Sequence, residues 1–523
     1  MGDDRKSEWL RGASIALLAL ATRAAFVYRQ GMAEPDSVVM AAGMAMGMGT
    51  ETQFGDALLY GRQVSPGMYF VARALYPLFF DSPAHLMGFL NWLSIASFAG
   101  LAWLLYRFFR GAMDPTTATA ALLVLVTTPL VWESSTYFHP LVPAAFLLAG
   151  SALAWRRFDA AALRIAWLLP SALLAALALV IRVEIVWVVP AALAAIMVEP
   201  GRARRLVAFA VVAAVSVAAY AVVSRLIAGE ASSAGHSLRS YASMIHGMYA
   251  WSASLGAMKR SVPWMVMGMG VATLAGMGVT LANFFARRHN LTSDEGSATT
   301  ARVIVALLWI LPAIAFWLPQ PTPILRHYFL SAIGLAWLAG CLVPKAWSPR
   351  RIYATALAIA ALNLALPEAA YRVYNGSHPD APKTANGAFF YYHAQTEARI
   401  ARQRTMARQV METMQEAGSP GVFAQVDWEG YACVVYELYT RAPDARRITG
   451  THPVPNTTYY VFRSNGAELR LMQTVGLARG AGKDAVATTA AEAAADGLPL
   501  FLSRDALIAG IDPASLAPDA VVY

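Results

Sequence analysis

The chain has 523 residues, of which 57% are hydrophobic and only 14% charged, with a net charge of +9. Soluble globular domains carry about 25% charged residues, so this composition excludes that class, and with it the disordered, collagen-like and disulfide-rich secreted classes. The basic excess lies in residues 1–366 (+11) while residues 367–523 carry −2, so it calls for no nucleic-acid partner and fits a polytopic membrane protein.

Taken in chain order, eleven stretches approach the roughly 20 apolar residues that a membrane span needs. They centre on 10–28, 84–106, 115–132, 140–155, 163–181, 185–198, 206–227, 262–285, 302–318, 327–344 and 351–366. The fifth and sixth are separated only by Arg182, Val183 and Glu184, so 163–198 also reads as one broken hairpin. The first has basic residues before it but no small-residue cleavage site after it, which reads as a retained helix. Basic clusters recur at alternate ends: Arg5, Lys6 and Arg11; Arg107 and Arg110; Arg156 and Arg157; Arg202, Arg204 and Arg205; Arg287 and Arg288; Arg350 and Arg351. The positive-inside rule places these ends in the cytoplasm together with the N-terminus. An odd number of spans then puts residues 367–523 on the other side. The predicted fold is therefore a polytopic α-helical membrane domain, 1–366, with a first outside loop at 29–83. An extracytoplasmic α/β domain, 367–523, follows it.

Within that C-terminal part, Ala394–Ala417 reads as a charge-laced helix ended by Gly418, Ser419 and Pro420. Gly421–Val426, Thr458–Phe462 and Leu498–Leu502 have strand character. Helical stretches are expected near Gly430–Tyr439 and Gly466–Leu477. Only two cysteines occur, Cys341 and Cys433. The topology sets them on opposite sides of the membrane, which argues against a disulfide.

Acidic residues are scarce in the membrane part, so each can be weighed. Glu34 and Asp36, two residues apart after the first span, suit a general base or a divalent-cation site. Asp36 also suits a helix N-cap. Glu133 and His139 fall in a short second outside loop, as substrate contacts or as part of an interfacial belt. Arg182 and Glu184 form either a structural ion pair or part of a functional site, because charges at that depth are costly. Arg326, His327 and Tyr328 precede the tenth span, where Arg326 also reads as an interfacial anchor. No motif specifies a cofactor.

The stretch from Arg23 to Arg110 resembles the N-terminal module of GT-C class membrane glycosyltransferases. That class includes the dolichyl-phosphate-mannose protein mannosyltransferases and the aminoarabinose-transferase-like enzymes. The parts that carry the likeness are Glu34-Pro35-Asp36-Ser37, then Ser65-Pro66-Gly67-Met68-Tyr69-Phe70, then Asn91–Arg110. Thr128-Pro129-Leu130 and Arg326-His327-Tyr328 also resemble elements of the class. Many members have Asp-Glu at the acidic pair, whereas here the second carboxylate, Glu34, precedes the Asp. The resemblance implies transfer of a sugar from a polyprenyl-phosphate donor to a lipid, glycan or protein acceptor on the extracytoplasmic face, with inversion. It implies Asp36 as general base with Glu34 beside it, Arg326 and Arg182 at the donor phosphate, and Glu133, His139, His327 and Tyr328 as substrate contacts. A divalent metal is compatible with it. The expected location is a bacterial inner membrane. The competing class is a transporter or lipid-carrier flippase, which should spread charges through several spans and show related halves. No inverted repeat is found in the sequence.

Overall fold

The computed structural model describes residues 2–28, 31, 37–38, 40–41, 44, 65–80, 85–160, 165–198, 201–228, 254–287, 293–319, 325–377, 390–416, 421–426, 433, 436–437, 446–451, 457–464, 467–474, 494–495, 497, 500–502 and 521–522. Glu34 lies outside these residues, and so does Asp36.

Fifteen helices lie among the described residues: α1 Gly2–Ala24, α2 Pro66–Leu75, α3 Leu86–Arg110, α4 Pro115–Thr127, α5 Pro129–Thr136, α6 Leu141–Ala160, α7 Ile165–Ile181, α8 Val189–Met197, α9 Arg202–Ala228, α10 Ser254–Met269, α11 Val271–Arg287, α12 Ser293–Trp317, α13 Phe329–Leu342, α14 Pro349–Ser377 and α15 Phe390–Glu416. Short 3₁₀ turns at Val183–Val188 and Leu325–Tyr328 lead into α8 and α13.

The described residues of the eleven apolar stretches are mostly helical, but they are not eleven equal spans. Among the described residues, five helical segments are long and apolar enough to cross a bilayer: Leu86–Arg110, Arg202–Leu226, Ala298–Trp317, Leu325–Leu342 and Pro349–Ala370. Two bent helix pairs raise that to seven. These segments make the chain an integral membrane protein. The other stretches fall short for visible reasons. Helix α1 carries Glu8, Arg11 and Arg23, and α6 ends on Arg156 and Arg157. Helices α7 and α8, with 17 and 9 residues, reach only about 26 and 14 Å at 1.5 Å per residue, against a hydrocarbon core of about 30 Å.

Both bends have a local cause. Helices α4 and α5 meet at 66°, where a single span was expected. Pro129 opens α5; it has no N–H to continue the ladder, and it drives Thr128 out of the helical region to φ −62°, ψ 126°. Helices α10 and α11 meet at 80° about Gly270, whose φ is +84°. A side chain there would be strained, and its Cβ would collide with the Asn363 amide of α14. That amide is held in turn, donating from Nδ2 to Thr273 Oγ1 at 2.9 Å.

The membrane unit comprises residues 1–27, 64–68 and 91–394. Helices α6, α7 and α9 pack in succession, α12 packs on α8 and α13, and α4 packs on α13 and α14. Helix α13 is apolar on all sides and buried almost throughout, the pattern of a central core helix. Ala120 and Val124 of α4 meet Ile352 and Ala356 of α14 in an apolar seam.

Helix α4 starts on a cap. Asp114 accepts from the backbone N–H groups of Thr116 and Thr117 at 2.9 and 3.1 Å and from the Thr117 hydroxyl at 2.6 Å. Burial by itself would raise the pKa of this carboxyl, but those hydrogen bonds outweigh it and hold it below its ordinary value. Asp114→Ala should cost about 0.5–2 kcal/mol, read as a lower thermal midpoint in detergent. The sign of the pH dependence follows from the depressed folded-state pKa. The cap's stabilisation is complete above the unfolded-state pKa and is lost as pH falls through the folded one. The gap between wild type and Asp114→Ala should therefore close in acid; a gap that does not change with pH would contradict the cap.

The second unit comprises residues 28–63, 69–90 and 395–523. Its six-stranded sheet has the order β2-β3-β4-β1-β5-β6, with β1 Gly421–Val426, β2 Arg446–Thr451, β3 Thr457–Ser464, β4 Ala467–Thr474, β5 Leu500–Leu502 and β6 Val521–Val522. Strand β1 pairs parallel with β4 and β5, and β5 with β6. Strands β2, β3 and β4 form an antiparallel meander. The stretch Gly466–Leu477, expected to be helical, contains β4 instead. Its Glu-Leu-Arg-Leu sequence alternates polar and apolar with the period of a strand. Tyr436 Oη accepts from the Met87 N–H at 3.3 Å, and Arg404 Nε donates to Glu437 at 2.9 Å. Cys341 and Cys433 are both free.

Candidate active site

The membrane unit buries a group of charged and ring side chains that stand at helix ends rather than mid-helix. Helix α7 stops at Ile181. Arg182 is extended, with φ −154° and ψ 120°, and the 3₁₀ turn after it carries Glu184. A second 3₁₀ turn carries Arg326, His327 and Tyr328 into α13. His139 occupies the connection between α5 and α6, and Ser65 directly precedes α2. Each break frees a side chain from the helical ladder and lets it face inward.

Glu184 is the hub. One carboxylate oxygen is ion-paired with Arg182 Nη2, and the other lies 3.0 Å from His327 Nδ1. Arg182 Nη1 donates to Ser65 Oγ at 3.4 Å. The His327 ring stacks flat on Trp317, with centroids 3.6 Å apart and planes within 3°. Arg182, Glu184, Arg326 and His327 are each less than 8% exposed. Arg326 lies within electrostatic reach of His327 and His139 in the same buried group, and ionisable groups in so water-poor a place are costly enough to mark a candidate functional site.

His139 is buried, and its Nδ1 accepts from the Leu141 N–H at 3.3 Å. Burial, aided by the nearby Arg182 and Arg326, depresses its pKa well below the ordinary imidazole value.

Of the residues singled out in the sequence, Arg182, Arg326, His327 and His139 come within electrostatic reach of one another. Tyr328 is buried on the same turn as His327 and starts α13. Glu133 is half-buried on α5. Glu34 and Asp36 lie outside the described residues. Among those described, no group of three or more His, Cys, Asp or Glu side chains is placed to hold a metal ion.

Three features of this region escaped the sequence reading. Glu184 bridges to His327 across 143 residues, a pairing no local pattern signals. Trp317 stacks on His327 in the same way. The third is Arg23, whose signal was present as a lone cation in an apolar run. It is fully buried, with Nε donating to Ser135 Oγ at 3.0 Å and Nη2 to the Val126 carbonyl at 2.7 Å. Its guanidinium lies 4.5 Å from the Phe98 ring centroid and 4.4 Å from that of Trp132. The Val126 carbonyl sits where the α4–α5 break interrupts the helical ladder, so Arg23 caps α4 from another helix.

No protein-family model matches the chain, and no curated protein matches it. Several solved structures are similar to it, two of them as follows. One is the crystal structure of ArnT from Cupriavidus metallidurans bound to undecaprenyl phosphate, with 14% identity and a TM-score of 0.48 over 82% of this chain and 74% of that one. The other is the archaeal oligosaccharyltransferase AglB from Archaeoglobus fulgidus in complex with an inhibitory peptide and a dolichol-phosphate, with 12% identity and a TM-score of 0.44 over 81% of this chain and 63% of that one.

Proposed function

We propose that this chain is an integral-membrane glycosyltransferase that moves a sugar from a polyprenyl-phosphate donor to an extracytoplasmic acceptor. The observation that carries the reading is the buried group of Arg182, Glu184, Arg326 and His327 at the breaks of otherwise apolar helices. Ionisable side chains at membrane depth are expensive and mark substrate sites. The chemistry also fits a donor with an apolar tail and an anionic head. Asp36 takes the proton of the acceptor hydroxyl as its oxygen attacks the anomeric carbon. The bond from that carbon to the phosphate oxygen breaks, the configuration inverts, and polyprenyl phosphate leaves with the negative charge. Arg326 stabilises that charge. Arg182, with its Nη groups facing Glu184 and Ser65, forms the wall beside it. His139, Tyr328 and Glu133 are contacts for the sugar or acceptor. In this reading the N-terminus is cytoplasmic, residues 367–523 face the other side of a bacterial inner membrane, and all eleven apolar stretches belong to the membrane domain.

The test is lipid analysis of a cell lacking the protein, which should accumulate one polyprenyl-phosphate sugar. An unchanged lipid pool, with purified protein that releases no polyprenyl phosphate from lipid-linked sugars, would refute the reading. Arg326 supplies a sharper measurement. A guanidinium can bind one phosphate through two hydrogen bonds, an ammonium through a point contact. Arg326→Lys should retain part of the turnover per folded protein, and Arg326→Ala very little. An interfacial anchor would give full activity with Lys and lower protein levels with Ala.

A further inference from the structure

His327 is a candidate substrate contact, but nothing in that role says which of its atoms meets the substrate or what holds the ring in place. The geometry answers both. A carboxylate only accepts hydrogen bonds, so the hydrogen between Glu184 and His327 sits on Nδ1, 3.0 Å from the Glu184 oxygen. The flat stack on Trp317 fixes the plane of the ring. These two constraints come from different elements, the turn after α7 and the end of α12, and together leave the ring one orientation. Nε2 makes no hydrogen bond to any described residue. Among the described residues it is the one polar atom of the ring without a hydrogen-bond partner. Glu184 itself is enclosed: its side chain is 1% exposed and both oxygens are occupied.

We propose that Glu184 is a positioning residue that acts through His327, fixing hydrogen on Nδ1 and presenting Nε2 to a hydroxyl of the transferred sugar. This rests on the glycosyltransferase reading and assigns a role within it. The phosphate falls to Arg326 and a sugar hydroxyl to His327 Nε2. For a metal-bound imidazole such an orienting partner is worth about 10- to 100-fold, and a loss on that scale is expected here.

The experiment is a double-mutant cycle on the full chain in detergent. Glu184→Gln is nearly isosteric and still accepts a hydrogen bond, but it cannot serve Arg182 and His327 with two equivalent charged oxygens. The readouts are undecaprenyl phosphate affinity and the rate of polyprenyl phosphate release from a lipid-linked sugar extract, both per folded protein. Glu184→Gln should lower the maximal release rate about 10- to 100-fold while undecaprenyl phosphate affinity stays within about threefold. In a His327→Ala background, the same substitution should change the rate by less than about threefold, because the residue it acts through is gone. Equal losses in both backgrounds, or a loss confined to undecaprenyl phosphate affinity, would overturn the proposal and leave Glu184 as a partner of Arg182 alone. If Glu184→Gln fails to fold, Glu184→Asp takes its place, with a rate loss expected from the shorter reach to Nδ1 and none in the His327→Ala background. Wild-type protein that neither binds undecaprenyl phosphate nor releases it would refute the glycosyltransferase reading itself, a result distinct from both.

Discussion

Asp36→Asn is expected to lower turnover by about 10²- to 10⁴-fold, the usual contribution of a general base, while protein levels in the membrane stay normal. The choice of Asn decides between the two roles open to this residue. Asparagine caps a helix about as well as aspartate, so a capping residue would tolerate the exchange. It cannot take a proton at neutral pH, so a base would not. Turnover of a lipid-linked sugar, normalised to folded protein, makes the distinction. Near-full activity in Asp36→Asn would remove the base assignment and move attention to Glu34, two residues away. Loss of both activity and folded protein would instead point to a structural role. Glu34→Gln should be milder than Asp36→Asn if Asp36 is the base.

The second large effect concerns stability. Glu184→Ala is expected to cost about 3–5 kcal/mol, the usual penalty for removing one partner of a buried ion pair. It leaves the Arg182 guanidinium without its carboxylate and takes the acceptor from His327 Nδ1. The folded yield after detergent extraction should fall sharply and the thermal midpoint with it. The companion is Arg182→Met with Glu184→Ala. Replacing both members of a buried pair by apolar groups is often neutral, so the double variant should recover much of the folded yield without recovering turnover. A double variant no better folded than Glu184→Ala would mean that the stabilisation runs through His327 rather than through the pair.

The helical layout was legible because it rests on hydrophobicity and on alternating basic ends. The bends were less so. Pro129 and Gly270 are both breakers, yet an apolar run around a single proline or glycine reads as one span, and only the dihedral angles show that the axis turns. The shortfall at α7 and α8 had its marker in Arg182 and Glu184, which split one long apolar run. The site was partly legible for the same reason, since charge in an apolar context is costly enough to be noticed. The pairing within it was not. Glu184 and His327 are adjacent only in the folded chain, and no periodicity relates them. Strand β4 was misread although Glu468-Leu469-Arg470-Leu471 alternates with a strand's period: the run is short and its residues are tolerated in a helix as well, so its partners β1 and β3 decide the outcome.

Arg23 bears on how the membrane domain is made. Its partners, the Val126 carbonyl and the Ser135 hydroxyl, lie 103 and 112 residues further along the chain. A ribosome adding 5–20 residues per second takes about 5–20 s to reach the first of them. During that time α1 carries a guanidinium with neither its acceptors nor its Trp132 ring yet synthesised. The earliest helix of the chain is thus completed by a later pair, because its buried cation gains its partners only once α4 and α5 exist.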